Sequence, residues 1–167
     1  VKAKSIDQHE MHTEHFAVTK EALAALKEKQ GKLLAVGTTS VRTMESLYWL
    51  GVKIRQSGTQ DSGLMLHQWD HLHLPQSITV QESLNTLISY LEDKRQETLQ
   101  ASTQIMIAPG YSFKLTQAMI TNFHQPRSTL LMLIAAFVGD DWKNIYDYAL
   151  RNHFRFLSYG DSSLLIP

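Results

Sequence analysis

Short apolar runs alternate with polar, helix-forming stretches along most of the chain. KEALAALKEKQ lies between Thr19 and Gly31, which predicts a helix that Thr19 caps and that ends near the glycine. The run from Leu33 to Val36 predicts a short buried strand, and VRTMESLYWL predicts a second helix that stops at Gly51. This order indicates an α/β fold with a sheet covered by helices, although the strand order is left open.

The same rhythm returns after a less regular stretch. Residues 57–104 form an elaborated segment that contains one long helical pattern, ITVQESLNTLISYLEDKRQETLQ. Buried strands are predicted at Ile105–Ala108 and Ala118–Phe123, and LLMLIAAFV predicts a buried helix capped by Ser128 or Thr129. The last helix, WKNIYDYALRNH, is predicted to start at the preceding aspartates, and FRFLSYG and LLI are the final strand candidates.

Composition and charge narrow the class of protein. A chain of 167 residues with 43% apolar and 19% charged residues predicts one globular domain. Lys plus Arg and Asp plus Glu number 16 each, so no net charge draws the whole chain onto nucleic acid or a membrane. The lack of cysteine fits a reducing compartment, and we expect the cytoplasm. Because Val1 is not a natural start, we expect a fragment of a longer protein.

The loop Gly37–Ser40 lies between a predicted strand and a predicted helix, where backbone amides and hydroxyls can hold an anion. Arg42 then faces the positive end of the helix dipole, a cost that a bound carboxylate or phosphate would reverse. The alternative is that Thr39 or Ser40 merely caps the helix and that Arg42 pairs with Glu45. The lysine of a P-loop and the glycines of a dinucleotide fingerprint are missing, which disfavours nucleoside triphosphates and NAD.

Six of the eight histidines occur in two groups of three. The first recurs every third residue in HEMHTEH, but this spacing differs from HExxH, so a metal site is disfavoured. A hydrogen-bonding role near a ligand is favoured for His12 or His15, with simple surface placement as the alternative. The other group is expected in an exposed loop around Trp69 and comprises His67, His71 and His73.

The densest polar segment is NFHQPRST, residues 122–129, which lies between a predicted strand and an apolar helix. Its candidates for chemistry are Asn122, His124 and Arg127, since imidazole titrates near neutral pH and guanidinium binds phosphate. The alternative is an elaborate helix cap, with Ser128 as the cap and His124 as a satisfied imidazole. A second polar turn is SYGDSS, where Asp161 either orients a ligand or bonds turn amides.

Five segments together resemble the S-adenosylmethionine:tRNA ribosyltransferase-isomerase family of queuosine biosynthesis: MHTEHFAVT, AVGTTSVRTMESL, APGYSFK, ITNFHQPRSTLLMLIAAFVG and FRFLSYGDSSLLI. The resemblance covers nearly the whole chain apart from about residues 57–104. It implies that residues 1–167 are the carboxy-terminal part of a catalytic α/β domain. The whole enzyme would have two domains, and its amino-terminal half and inserted β-barrel are absent from this chain.

The resemblance also implies an activity. The ribosyl group of S-adenosylmethionine, the co-substrate, is transferred and isomerised onto 7-aminomethyl-7-deazaguanine at the tRNA wobble position, which gives epoxyqueuosine, adenine and methionine. The implied partners are the tRNA anticodon loop and the missing amino-terminal half, with no membrane, no metal and a monomeric full-length enzyme. Two alternatives stay open: a fragment that binds RNA or an adenosyl ligand without catalysis, and a structural domain whose polar loops are only caps.

Each role is carried onto positions of this sequence. The methionine carboxylate or ribose hydroxyls are assigned to the helix-start loop and one upstream histidine: Thr38, Thr39, Ser40, Arg42 and His12. The catalytic candidates are Asn122, His124 and Arg127, with His124 as the base or proton shuttle. The substrate-binding candidates are Ser128, Tyr159 and Asp161.

Overall fold

The computed structural model describes residues 10–58 and 63–167, so His9 lies outside the described residues. The first half contains strands and helices in this order: β1 Glu14–Thr19, α1 Lys20–Glu28, β2 Leu34–Val36, α2 Thr38–Ser57, β3 Leu64–Leu66, α3 Asp70–His73 and α4 Val80–Asp93. The second half continues with β4 Thr98–Thr103, β5 Ala118–Asn122, α5 Thr129–Val138, a 3-10 turn Gly139–Asp141, α6 Trp142–Arg151 and β6 Ser162–Leu165.

The strands form two sheets of three within the described part of the chain, and the α/β class is confirmed. In the first sheet β4 lies in the centre, antiparallel to β1 and parallel to β3. In the second sheet β5 lies in the centre, parallel to β2 and antiparallel to β6. The single predicted sheet is therefore divided, with helix α2 in contact with strands of both sheets.

The helix starts follow local capping chemistry. Thr19 Oγ1 accepts a hydrogen bond from the Ala22 N–H at 3.1 Å, as its position before α1 predicts. Thr79 and Glu82 form a reciprocal capping box at the start of α4. Ser128 Oγ accepts from the Leu131 N–H at 3.1 Å at the start of α5. Of the two residues predicted to cap this helix, Ser128 is therefore the one that does so.

The predicted end of the second helix is wrong, because α2 continues through Gly51 to Ser57. A Cβ at position 51 would lie 2.2 Å from Ser83 Oγ and 2.3 Å from the Ser83 carbonyl oxygen. The glycine therefore permits close contact between α2 and α4. Ser83 Oγ donates to the Tyr48 carbonyl oxygen at 2.5 Å and fixes this crossing.

Three further predictions are corrected in the second half. The helical pattern predicted through Gln100 ends at Asp93, since Arg95 has a left-handed φ of 53° and TLQAST forms the central strand β4. Residues 105–107 are buried, but residues 105–108 are not a strand: the Ile105 N–H donates to Thr103 Oγ1 at 3.0 Å rather than to a neighbouring strand. FRFLSYG is a turn and not a strand, with Leu157 at a φ of 71°.

Apolar side chains lie on both faces of the second sheet. Ala35 is 2% exposed and belongs to the core, as do Met119 and Leu165. The neighbouring positions point the other way: Leu34 is 46% and Val36 64% exposed, so the predicted burial of this strand holds only for Ala35. Helix α5 is likewise only partly buried, through Leu133, Ile134 and Phe137.

Candidate active site

Two parallel neighbouring strands, β2 and β5, bring the first two polar segments together. Val36, the last residue of β2, lies opposite Ile120, two residues before the end of β5, and the Gly37 N–H donates to the Ile120 carbonyl oxygen at 2.8 Å. The predicted loop Gly37–Ser40 is shorter than expected, because only Gly37 precedes α2 and Thr38, Thr39 and Ser40 form its first turn. This turn and the segment 122–129 follow neighbouring strands of the sheet. The carboxyl ends of adjacent parallel strands are the usual ligand-binding edge of α/β sheets.

The amino end of α2 is open. Gly37 occupies the N-cap position with a φ of 86°, no side chain caps the helix, and its first turn contains no acidic residue. The alternative that Thr39 or Ser40 caps it is wrong, since the Ser40 hydroxyl donates backwards to the Val36 carbonyl oxygen at 2.7 Å. The first N–H groups of a helix have no acceptor within the helix. This end of α2 therefore offers donors and a positive dipole to an anionic group.

Arg42 lies beneath this surface, with 5% of its area exposed. Its Nη1 is 2.6 Å from Glu14 Oε1 on β1, so the alternative of a pair with Glu45 is wrong. Burial lowers the pKa of Arg42, and the Glu14 carboxylate opposes that shift. Arg42 Nε and Nη2 and Glu14 Oε2 have no hydrogen-bond partner among the described residues. The pair ties α2 to β1 and leaves little of Arg42 accessible to a ligand.

Glu45 is a buried carboxyl residue that the sequence suggested only as an alternative partner of Arg42. Its exposure is 0%, and its carboxylate accepts five hydrogen bonds of 2.8 to 3.0 Å. The donors are the N–H groups of Lys114, Leu115 and Thr116 and the hydroxyls of Tyr111 and Thr116. The sequence did contain one indication of this role: Glu45 lies on the core side of the helix, between Val41 and Trp49. Glu45 holds the segment before β5 against α2.

His124 and Asn122 stand at the carboxyl end of β5. His124 Nε2 is 3.0 Å from the Thr121 hydroxyl, and the His124 backbone N–H donates to the Tyr146 hydroxyl at 3.0 Å. Burial lowers the pKa of His124, so the imidazole is neutral at pH 7 and able to accept a proton. Asn122 Nδ2 donates to the Gly160 carbonyl oxygen at 3.3 Å, which joins a third segment to this edge.

That third segment is a turn held by its own backbone. Asp161 Oδ2 accepts from the Arg155 N–H at 2.7 Å, and the Asp161 N–H donates to the Arg155 carbonyl oxygen at 2.8 Å. A Cβ at Gly160 would lie 2.4 Å from that same carbonyl oxygen, so the turn has no room for a side chain there. Asp161 therefore bonds a turn amide, as one of its two predicted roles states, while Tyr159 projects from the turn with 96% exposure.

The remaining predicted site residues have different surroundings. Ser128 caps α5 and also donates to the Gln125 carbonyl oxygen at 2.8 Å, so the structural part of the cap alternative is confirmed. Arg127 is exposed in the same turn, with a left-handed φ of 59°. His12 is exposed two residues before Glu14, which lies in the first sheet. The carboxyl ends of β2 and β5 are thus followed by Gly37 and the first turn of α2, and by Asn122 and His124, with Asp161 in the turn that Asn122 contacts; we call this edge of the second sheet the crevice.

Two properties of the described residues bear on the class of site. Between residues 10–58 and 63–167, no three His, Asp or Glu side chains converge in an arrangement that holds a metal ion. No helix within these ranges has the length and hydropathy to cross a membrane.

A family model described as queuosine biosynthesis protein matches residues 1–165. Among curated relatives, the S-adenosylmethionine:tRNA ribosyltransferase-isomerase of Thermotoga petrophila is 34% identical over 99% of this chain and 38% of its own length. The enzyme of the same name from Cereibacter sphaeroides is 35% identical over 100% of this chain and 37% of its own length. The chain therefore spans less than two fifths of the length of these relatives.

A solved structure agrees with this relation. The crystal structure of S-adenosylmethionine tRNA ribosyltransferase from Thermotoga maritima superposes with a TM-score of 0.58 at 32% sequence identity. The match covers 91% of this chain and 40% of that protein.

Proposed function

The chain belongs to the queuosine biosynthesis protein family, and on that premise we propose that it contributes the crevice to an S-adenosylmethionine:tRNA ribosyltransferase-isomerase. The proposed reaction moves and isomerises the ribosyl group of S-adenosylmethionine onto 7-aminomethyl-7-deazaguanine at the tRNA wobble position. Its products are epoxyqueuosine in the tRNA, adenine and methionine. One observation carries the proposal: three polar segments meet at the carboxyl ends of β2 and β5, beside an uncapped helix start.

The amino end of α2 suits the methionine carboxylate of S-adenosylmethionine. Its unpaired N–H groups and positive dipole favour an anion, and the exposed hydroxyls of Thr39 and Ser40 stand beside them with the half-buried Thr38. The role of Arg42 is narrower than the sequence suggested, because its guanidinium is buried against Glu14. Arg42 positions α2, and the hydroxyls in the first turn of α2 make the contact. His12 would meet the ligand only at the margin of this site.

His124 is the proposed base that removes the acidic proton beside the sulfonium. The sulfonium cation makes the adjacent C–H acidic, and burial keeps His124 neutral at pH 7, so the imidazole has a nitrogen that can take up the proton. The Thr121 hydroxyl at 3.0 Å orients the ring. Asn122 fixes the neighbouring turn through its bond to Gly160 and, in this proposal, lies against the reacting ribose.

Tyr159, Arg127 and Asp161 form the proposed RNA side of the crevice. The Tyr159 ring is 96% exposed on a turn that hydrogen bonds hold in place, which suits stacking against an unpaired base. Arg127 would contact phosphate, and its loss would then reduce the salt dependence of tRNA binding by about one charge. Asp161 and Ser128 shape the turns that present these groups.

Adenine release by the purified chain, with S-adenosylmethionine and substrate tRNA, tests the proposal directly. His124→Asn is expected to slow release by roughly a hundredfold, the lower range for loss of a positioned base. The matched control is His153→Asn, because His153 is exposed and asparagine tolerates its left-handed φ of 57°. Unchanged release by His124→Asn would remove His124 from the mechanism.

Calorimetric titration with S-adenosylmethionine separates catalysis from binding. Binding without adenine release would identify the alternative function, a non-catalytic adenosyl-binding chain. This alternative is considered because the chain spans only 38% of the length of a curated relative. Neither binding nor release would contradict a functional crevice and would leave Ser128 with only its role as the cap of α5.

A further inference from the structure

Burial lowers the pKa of two histidines among the described residues, but the chain holds them in different ways. His71 is 6% exposed, so the prediction that places it in an exposed loop is wrong, whereas His67 and His73 are exposed as predicted. The His71 Nδ1 is buried and has no hydrogen-bond partner in the part of the chain that the structure describes. His124 is only partly buried, and its ring and its backbone N–H are both hydrogen-bonded. The fold therefore fixes His124 and still leaves part of it accessible at the crevice.

The backbone of His124 is held from outside the second sheet. Strand β5 ends two residues before His124, so strand pairing no longer fixes the chain at that point. Two hydrogen bonds fix it instead: the Phe123 carbonyl oxygen accepts from the Leu157 N–H at 2.9 Å, and the His124 N–H donates to the Tyr146 hydroxyl at 3.0 Å. Tyr146 lies in α6, so this second bond joins the backbone of His124 itself to a helix.

The Tyr146 side chain is in turn fixed by packing. It is 8% exposed, and its ring centroid lies 5.4 Å from that of Phe123, 6.0 Å from that of Phe156 and 6.1 Å from that of Trp142, edge to face in each case. Burial raises the pKa of Tyr146, so the hydroxyl is neutral at pH 7 and accepts the N–H through an oxygen lone pair. Because so little of Tyr146 is exposed, its influence on a ligand passes through His124.

The imidazole of His124 has a second anchor on β5. Its Nε2 is 3.0 Å from the hydroxyl of Thr121, a residue that is 5% exposed. One anchor thus comes from the sheet and acts on the ring, while the other comes from α6 and acts on the backbone. A general base must lie within roughly 2.6–3.2 Å of the atom that loses the proton, and a displacement of about 1 Å can slow a reaction about a hundredfold. Loss of either anchor is therefore enough to impair proton removal.

We propose that Tyr146 is a positioning residue for the base: by accepting the His124 N–H, its hydroxyl sets the place of the imidazole beyond the carboxyl end of β5. The inference rests on the proposed function, since only there does His124 act as the base. Tyr146 does not touch the ligand. It therefore affects the rate of proton removal and leaves the affinity for S-adenosylmethionine unchanged.

Tyr146→Phe tests this role, because it keeps the ring that packs on Phe123 and removes only the hydroxyl. In the purified chain we expect kcat for adenine release to fall roughly tenfold, while KM for S-adenosylmethionine stays within about twofold of its original value. Tyr148→Phe is the matched control and should release adenine at the unchanged rate, since Tyr148 lies in the same helix with 62% exposure. A kcat of Tyr146→Phe equal to that of the unchanged chain would overturn the proposal.

A double variant separates positioning from general destabilisation. If Tyr146 acts through His124, Tyr146→Phe combined with His124→Asn should release adenine no more slowly than His124→Asn alone. Two losses that multiply would show that Tyr146 acts on something other than the base, and this result would also overturn the proposal.

An NMR titration without substrate keeps this test separate from that of the proposed function. Burial lowers the pKa of His124, so an imidazole released from its position should titrate closer to the ordinary value of 6.5. We expect this rise in Tyr146→Phe and not in Tyr148→Phe, and an equal His124 pKa in Tyr146→Phe and the unchanged chain would overturn the positioning role. If the unchanged chain releases no adenine, its proposed catalytic function fails and the titration alone decides on Tyr146.

If Tyr146→Phe fails to fold, amide hydrogen exchange of the unchanged chain decides. A His124 amide that is protected from exchange supports its bond to Tyr146, and an unprotected amide overturns it.

Discussion

The polar groups of helix α2 have opposite environments at its amino end and in its middle. At its amino end no side chain caps the helix, and the hydroxyls of Thr39 and Ser40 are exposed. Two turns later, Glu45 is fully buried and accepts five hydrogen bonds from the chain itself. The open end leaves N–H donors for a ligand, whereas the buried carboxylate is bonded to five donors of the chain itself. The amino end of α2 is thus available to bind a ligand, while Glu45 in the same helix stabilises the fold.

The largest effect is expected where the polar groups are closed off. Glu45→Ala leaves three backbone N–H groups and two hydroxyls without their acceptor, and it should lower the free energy of unfolding by about 4 kcal/mol. Chemical denaturation measures this loss, and Glu45→Gln, which keeps one carbonyl oxygen, is expected to lose less. A loss below about 1 kcal/mol for Glu45→Ala would mean that water satisfies these donors and that the region is not closed.

A second effect concerns acid stability of the same interior. Burial lowers the pKa of His71 from 6.5 to about 4, so between these pH values the unfolded chain binds more protons than the folded one. Stability should therefore be complete above pH 6.5 and fall as the pH drops towards 4, by up to about 3 kcal/mol. Unfolding followed across this window measures the slope, which His71→Phe should reduce and His73→Phe should not. Equal slopes in both variants would show that His71 is not the group that titrates.

A smaller effect is expected at the capped helix start. Ser128→Ala removes the acceptor for the Leu131 N–H and should lower the free energy of unfolding by about 1 kcal/mol. Thermal unfolding checks this value, with Thr129→Ala as the neighbouring control. An unchanged melting temperature would indicate that the start of α5 is as open as that of α2, and the contrast between the two would be lost.

The smallest expected change in stability comes from a substitution that tests the open amino end of α2 most directly. Thr39→Asp places a carboxylate at the open end of α2, where it should stabilise the fold by about 0.5 kcal/mol through the helix dipole. The same charge should repel the carboxylate of S-adenosylmethionine and weaken its binding in calorimetry. Thr129→Asp, at the start of the capped α5, is the control that should leave this binding unchanged. If both variants bind equally, the anion does not sit at α2.

Features set by neighbouring residues could be predicted from the sequence, and features set by distant contacts could not. Thr19 and Ser128 cap their helices through residues three positions away, so both starts were predictable. The crevice was partly predictable because polar segments follow strands. The role of Glu45 was not, since its partners lie 66 to 71 residues further along the chain. The burial of His71 likewise depends on Tyr111, forty positions away.

Strand β6 shows what the bond between Asn122 and its neighbouring turn does for the whole sheet. Leu164, Leu165 and Ile166 are all apolar, so a slip of one residue would still place a large apolar side chain in the core position of Leu165. Hydrophobicity alone therefore leaves the alignment of this strand ambiguous. Polar contacts distinguish the alignments: Asn122 Nδ2 donates to the Gly160 carbonyl oxygen, the Ser163 hydroxyl to the Thr121 carbonyl oxygen at 3.3 Å, and the Leu157 N–H to the Phe123 carbonyl oxygen at 2.9 Å. The side chains at the crevice thus help to set the register of β6, and changing them would alter strand pairing as well as chemistry.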